Sequence, residues 1–331
     1  VLVRVLIIGV TIEDIIPSKI NLTHNNIEYT IAVSDLNTRY DTDTADLHIS
    51  YNPAGTLMPL IPAANVISIP QYDKLQQYVF LSDHKIPTPL CVRYLNGVHS
   101  RSLSNCSTID NDTPVIVRSL RGANGLGMFR IPYGVLNSAL YFVSLHNNDV
   151  DGFKKAYTSA SLSPASKDSI VYESNCVIVT EYLTDVKNEY RVVIIGDYIT
   201  IYKRNRTVKD NELVQANINK DTYFNIPTTH TMVYNNCEST YTEETQSYLD
   251  LPVEQYNVIL SLTRFMIKHL PMVYGSLDFY LKDNGDVGIF EFSNQFGVAV
   301  TPTATTVLYH TEFIKKLVIE YLENPIQTYN N

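Results

Sequence analysis

Residues 115–131, VIVRSLRGANGLGMFRI, decide how the chain is read. VIVRS (115–119) and MFRI (128–131) are short β-branched and aromatic runs of the kind that favour strands, and RGANGLG (121–127) is a tight glycine-rich connection between them. Gly122, Gly125 and Gly127 have no Cβ and tolerate positive φ, so successive backbone N–H groups can point at phosphate oxygens. Three familiar phosphate loops do not fit. The stretch is not GxxxxGK[ST], and its GxxGxG glycines lead into a strand where a dinucleotide fold needs a helix. Its cation, Arg118, precedes the loop, whereas a kinase places its lysine on a later strand and adds HRD and DFG elements, which do not occur here in the right order. Taken alone, the stretch is also compatible with a hairpin that binds nothing.

Downstream, VIVTEYL (177–183), YRVVIIG (190–196) and YITIYKR (198–204) are strongly β-forming, with Gly196-Asp197 as a hairpin turn. A helix is expected at about 253–270, strands at 276–281 and 287–292, and a last helix near 304–323. The two strands form a hairpin that sets Asp278 and Glu291 side by side, where two carboxylates can share a divalent ion. A turn-capping Asp278 and a solvated Glu291 are the alternative. Glu291 lies between Phe290 and Phe292 in an otherwise apolar strand, so its charge needs a partner or a cation.

Upstream, residues 2–9, 29–33, 46–51 and 66–69 are short apolar runs separated by polar connections, a pattern that predicts a small α/β layer with buried strands. YDKLQQYVFLSDH (72–84) has helical spacing, and the prolines of Ile86-Pro87-Thr88-Pro89 stop it before an extended strand. Residues 96–112 read as a polar loop with a short helix at Ser100–Asn105, residues 134–160 as helical, and residues 205–250 as a mobile loop without assignable elements. No internal repeat is found.

At 331 residues, with 45% hydrophobic and 18% charged residues, the chain has ordinary globular composition and room for two or three packed units. A formal charge of −9 argues against a broad basic surface and so against nucleic acid as a partner. Cys91, Cys106, Cys176 and Cys237 are too dispersed for a zinc site or a disulfide framework, and the eight histidines show no ligand spacing. No apolar run approaches the roughly 20 residues of a membrane span, and Val1–Gly9 reads as a strand rather than a signal segment. The expectation is a soluble cytoplasmic protein, in which the Asn-x-Ser/Thr triplets at Asn21, Asn105, Asn111 and Asn205 carry no glycan.

The order of these elements resembles the ATP-grasp superfamily, and within it the ribosomal-protein glutamate ligases, glutathione synthetases and related carboxylate–amine ligases. The resemblance runs from Lys74 to Gly297, and each motif is weak without the others. It implies an α/β (α+β) chain with the ATP-grasp fold: a preATP-grasp α/β domain at residues 1–72, a linker helix and lid subdomain at 73–184, and a C-terminal subdomain with the metal site at 185–331.

Asp73-Lys74 with Lys85-Ile86-Pro87-Thr88-Pro89 is similar to the family's entry motif, which makes Lys74 a nucleotide ligand. Arg118 stands where the family usually has an ATP-binding lysine; it keeps the charge and adds a bidentate fork. The resemblance makes Arg121, Gly122, Gly125 and Gly127 the phosphate lid, and the backbone of Glu181, Tyr182 and Leu183 the adenine-reading hinge. It places Glu189 at the ribose, and Arg191 and Arg204 at the transferred phosphate, Arg204 being preferred over Lys203 and Arg206. Asp278 and Glu291 match the metal carboxylates. Where the family reads Glu-x-Asn before a glycine, this chain has Glu291-Phe292-Ser293-Asn294-Gln295-Phe296-Gly297, so either Asn294 or Ser293 completes the metal set.

The implied cofactors are ATP and Mg²⁺, with Mn²⁺ as a substitute, and the implied partners are small-molecule or peptide carboxylates and amines, or a thiol in place of the amine, with no membrane. A homodimer is a family-level expectation. The implied reaction activates a carboxylate as an acyl phosphate. A nucleotide-binding regulatory module with reduced catalysis, and a small-molecule phosphotransferase, stay open beside it.

Overall fold

The computed structural model describes residues 1–8, 16–35, 45–50, 66–68, 72–96, 99–101, 109–120, 127–146, 149–163, 176–196, 198–207, 215–217, 231–233, 246–247, 249–270, 272, 274–293 and 304–324. Three sheets follow one another along the chain, each drawn from one contiguous stretch. The architecture is mixed α/β.

The first sheet contains β1 (Leu2–Ile8), β2 (Lys19–His24), β3 (Ile27–Asp35), β4 (Leu47–Ser50) and β5 (Val66–Ser68) in the order β2-β3-β1-β4-β5. β1, β3, β4 and β5 are parallel, as the apolar runs suggested, while β2 is an antiparallel edge strand absent from the sequence reading. Its signal is the turn: Asn25 and Asn26 have φ of 50° and 63°, the left-handed pair that closes a two-residue hairpin, and asparagine tolerates it.

Helix α1 (Lys74–Asp83) begins at a capping box, in which the Asp73 carboxylate accepts from the Gln76 N–H at 2.8 Å and the Gln76 side chain accepts from the Asp73 N–H at 2.9 Å. The second sheet contains β6 (Cys91–Asn96), β7 (His99–Arg101), β8 (Pro114–Ser119), β9 (Phe129–Pro132), β10 (Ser161–Leu162) and β11 (Cys176–Glu181) in the order β10-β9-β8-β11-β6-β7. The helix expected at Ser100–Asn105 is corrected at its start, where His99–Arg101 is a strand paired with Tyr94–Asn96, because pairing to a sheet edge outweighs the weak local preference of a polar stretch; residues 102–105 lie outside the described residues. One face of this sheet, with Val115, Val117, Phe129, Ile131, Val177 and Val179, packs on α2 (Leu136–Leu145) and α3 (Val150–Ala156).

The third sheet contains β12 (Val186–Ile195), β13 (Tyr198–Thr207), β14 (Gln215–Asn217), β15 (Thr231–Val233), β16 (Tyr274–Lys282) and β17 (Val287–Ser293), ordered β14-β13-β12-β16-β17 with β15 beside β13. Two short strands therefore lie within residues 205–250, where no element was assignable from sequence. Tyr190, Val192, Ile194, Leu277, Phe279, Ile289 and Phe292 pack on one face against α4 (Val253–His269). On the other face, Val193, Ile195, Tyr202 and Tyr274 join a core with the first sheet and α5 (Ala304–Glu323). Among the described residues, apolar packing thus lines one face of the third sheet along β12, β16 and β17 but only one end of the other. No helix among the described residues is long and apolar enough to cross a membrane.

Candidate functional site

The half of the third sheet left uncovered by the first sheet and α5 carries charge. Strand alternation puts Glu189, Arg191 and Val193 of β12 on one side, and pairing places Arg204 opposite Glu189 and Asp278 opposite Arg191. Asp278 in turn faces Glu291 on β17. Simple alternation along β17 would instead align Glu291 with Val287 and Ile289 and bury it against α4. A bulge prevents this: Phe279 pairs with Ile289 and Asp278 with Glu291, so Phe290 is the extra residue and everything after it changes face. Phe292 then enters the α4-side core, while Ser293 lies on the Glu291 side opposite Ser276.

The two carboxylates differ. Asp278 is held from two sides: Arg191 donates from Nε to Oδ1 at 2.6 Å and from an Nη to Oδ2 at 2.7 Å, and Arg204 donates to Oδ2 at 2.9 Å. Glu291 receives looser contacts on Oε2 alone, from Lys74 Nζ at 3.3 Å and Arg118 at 3.2 Å. The Asp278 side chain is 5% exposed and that of Glu291 33%. Lys74 foremost, then Arg118 and Arg191, hold the Glu291 carboxyl down at about 2 against the opposing effect of burial.

Each cation has a structural reason to be there. Lys74 is the first residue of α1, fixed by the Asp73 capping box, and the same helix is tied to β17 by Gln77, which accepts the Phe292 N–H at 3.2 Å. Arg118 points from the face of the second sheet opposite its α2/α3 core, so the Arg118–Glu291 pair spans the crevice between the second and third sheets. Four cations thus surround two carboxylates. Two of their donors, Arg118 Nε and Arg204 Nε, are buried without a hydrogen-bond partner among the described residues. A buried guanidinium N–H without an acceptor is costly, and an anion between them would satisfy both.

At the other end of the crevice, Glu181, Tyr182 and Leu183 join β11 to β12. Leu183, Val186, Tyr280 and Phe290 form a small apolar cluster beside this crossover, with Tyr280 and Phe290 rings 4.8 Å apart. Burial first, then Glu181, Asp185 and Asp286, push the Tyr280 phenol up to about 12. Glu189 is buried between Arg204 and Tyr280 in register.

Lys74, Arg118, Arg191, Arg204, Asp278, Glu291 and Ser293 are therefore brought to one crevice, with Glu181, Tyr182, Leu183 and Glu189 at its end. Gly127 has a φ of 73°. Arg121, Gly122, Gly125 and Asn294 lie outside the described residues.

Two residues of this region went unread in the sequence. Arg130 lies over the Tyr182 ring at 4.9 Å and donates to Ser161 Oγ at 2.9 Å, fixing the crossover from the second sheet. Its place in the alternation of β9 was the available signal. For Phe290 as the bulged residue there was none.

A divalent ion fits at Glu291. The donors there are oxygens, Oε1 takes no hydrogen bond among the described residues, and hard cations such as magnesium need few protein ligands beside water and phosphate. No cluster of three or more His, Cys, Asp or Glu side chains with metal-site geometry occurs among the described residues.

No protein-family model and no curated protein sequence matches the chain. Among solved structures, D-cycloserine synthetase DcsG aligns over 95% of this chain and 99% of its own at 11% identity, with a TM-score of 0.48. Biotin carboxylase from Campylobacter jejuni, in a β-γ-ATP complex, aligns over 82% of this chain and 55% of its own at 11% identity and a TM-score of 0.44. The ATP-grasp ligase PsnB, complexed with a minimal precursor, aligns over 73% of this chain and 60% of its own at 10% identity and a TM-score of 0.36.

Proposed function

We propose that the chain is an ATP-dependent ligase of the ATP-grasp type, which activates a carboxylate with Mg-ATP and joins it to an amine. The observation that carries this reading is the pair of buried, acceptor-free Nε groups of Arg118 and Arg204, one from each sheet, flanking Glu291 and Asp278. That arrangement suits a polyanion lying between two sheets beside a divalent ion.

In this reading the apolar cluster of Leu183, Val186, Tyr280 and Phe290 takes the base, and the Glu181–Leu183 backbone reads its edge. Glu189 takes the ribose. Lys74 and Arg118 hold phosphate oxygens, and Arg191 and Arg204 neutralise the phosphoryl group as it passes to the substrate carboxylate. Glu291, with Ser293 beside it, would hold magnesium, which would supply positive charge to the nucleotide phosphates. The acyl phosphate is then attacked by the amine, which expels phosphate and forms the amide. No protein nucleophile is needed, because the work is positioning and charge neutralisation. The cytoplasm as location, a homodimer and the domain limits near residues 72 and 184 belong to the same reading.

The test is incubation with Mg-ATP and pooled carboxylates and amines, followed by ADP measurement and mass spectrometry of products. ADP release requiring both acid and amine is expected, and Glu291→Gln should lower it about 100-fold or more while the far-UV spectrum is unchanged. Nucleotide binding without ADP release across the panel would instead identify a regulatory module, and a stable phosphorylated product a phosphotransferase.

A further inference from the structure

We infer that Asp278 anchors the two site arginines and does not ligate metal, so that the crevice takes one divalent ion per nucleotide, at Glu291. This rests on the nucleotide-binding reading above and departs from the paired-carboxylate metal site expected from the sequence.

Both oxygens of Asp278 are in use. Arg191 engages Oδ1 and Oδ2 through its fork at 2.6 and 2.7 Å, and Arg204 adds a third bond to Oδ2 at 2.9 Å. Charge-assisted, bidentate contacts of this length are among the strong hydrogen bonds a carboxylate accepts. At 5% exposure they are shielded from water, which keeps them strong. Turning Asp278 onto a metal would strip two half-buried guanidinium groups of their common acceptor, and among the described residues Arg204 Nε has none.

Glu291 is the opposite case. Its contacts are 3.2 and 3.3 Å long, both fall on Oε2, and the Phe290 bulge brings it to the crevice at 33% exposure. Next along this face is Ser293, whose hydroxyl is neutral, and Asp278 is occupied. One carboxylate with one open oxygen suits a single ion that completes its shell with water and phosphate.

Mn²⁺ counted by electron paramagnetic resonance, in the presence of a saturating non-hydrolysable ATP analogue, tests this without turnover. Wild-type protein is expected to hold one Mn²⁺ per bound nucleotide. Asp278→Asn should keep that single ion with Mn²⁺ affinity within about threefold, while nucleotide Kd rises about tenfold because the arginines lose their anchor. Glu291→Gln should weaken Mn²⁺ in the nucleotide complex by about tenfold or more. Two Mn²⁺ per nucleotide in wild-type protein, or equal loss of Mn²⁺ in both variants, overturns the inference and leaves the ligase reading standing. If Asp278→Asn does not fold, as judged by circular dichroism, the wild-type count decides. Failure of wild-type protein to bind the analogue overturns the ligase reading, and this inference with it.

Discussion

His310 on α5 is 1% exposed, and neither ring nitrogen has a hydrogen-bond partner among the described residues. Burial pushes its imidazole down to about 4, so the unfolded chain binds a proton below pH 6.5 that the folded chain refuses until about pH 4. Its contribution is therefore intact above pH 6.5 and is lost as the pH falls toward 4, a difference on the order of 3 kcal/mol. His310→Leu should flatten the fall in melting temperature over that window and raise stability at neutral pH by about 1 kcal/mol, as thermal unfolding at stepped pH would reveal. Glu291 works in a lower window: its folded-state value near 2 makes its stabilising effect present above pH 4.5 and lost on further acidification. Residue chemistry was legible from sequence where a charge interrupts an apolar pattern, as at Glu291. It was not legible for His310, because nothing in the spacing of α5 distinguishes a buried imidazole from a surface one.

The elements repeat this division. Long periodic stretches such as α4 and α5 were readable, whereas β2, β7, β10, β14 and β15 exist through pairing with distant or neighbouring strands that local sequence does not specify. The bulge in β17 is of the second kind and decides where the site lies. Deleting Phe290 restores simple alternation and leaves Glu291 opposite Asp278 and Phe292 opposite Leu277, so the carboxylate keeps its face while the Phe290 ring is lost from the Leu183–Val186–Tyr280 cluster. The deletion variant should keep Mg²⁺-dependent nucleotide binding in calorimetry, at weaker affinity; complete loss of the metal dependence would count against this register. Phe290→Ala keeps the residue count and should retain metal dependence while weakening nucleotide binding through the Leu183–Val186–Tyr280 cluster.

On the scale of the molecule, the Arg118–Glu291 pair joins the second sheet to the third, with α1 held beside it through Lys74. The residues that meet there were named from the order of motifs, but their pairing was not: which cation meets which carboxylate depends on three elements far apart in sequence. A ligand that replaces these contacts ties the second sheet to the third. Mg-ADP at 100 times its Kd should stabilise the fold by about 2.7 kcal/mol, seen as a melting-temperature rise that EDTA largely abolishes. The extra residue at Phe290 also sets the frame in which the chain is to be compared with others. Aligned without a gap to a strand of regular alternation, Glu291 falls beside a core residue and Phe290 beside a carboxylate. Only a one-residue gap within β17 keeps the acidic positions in step on both sides of it.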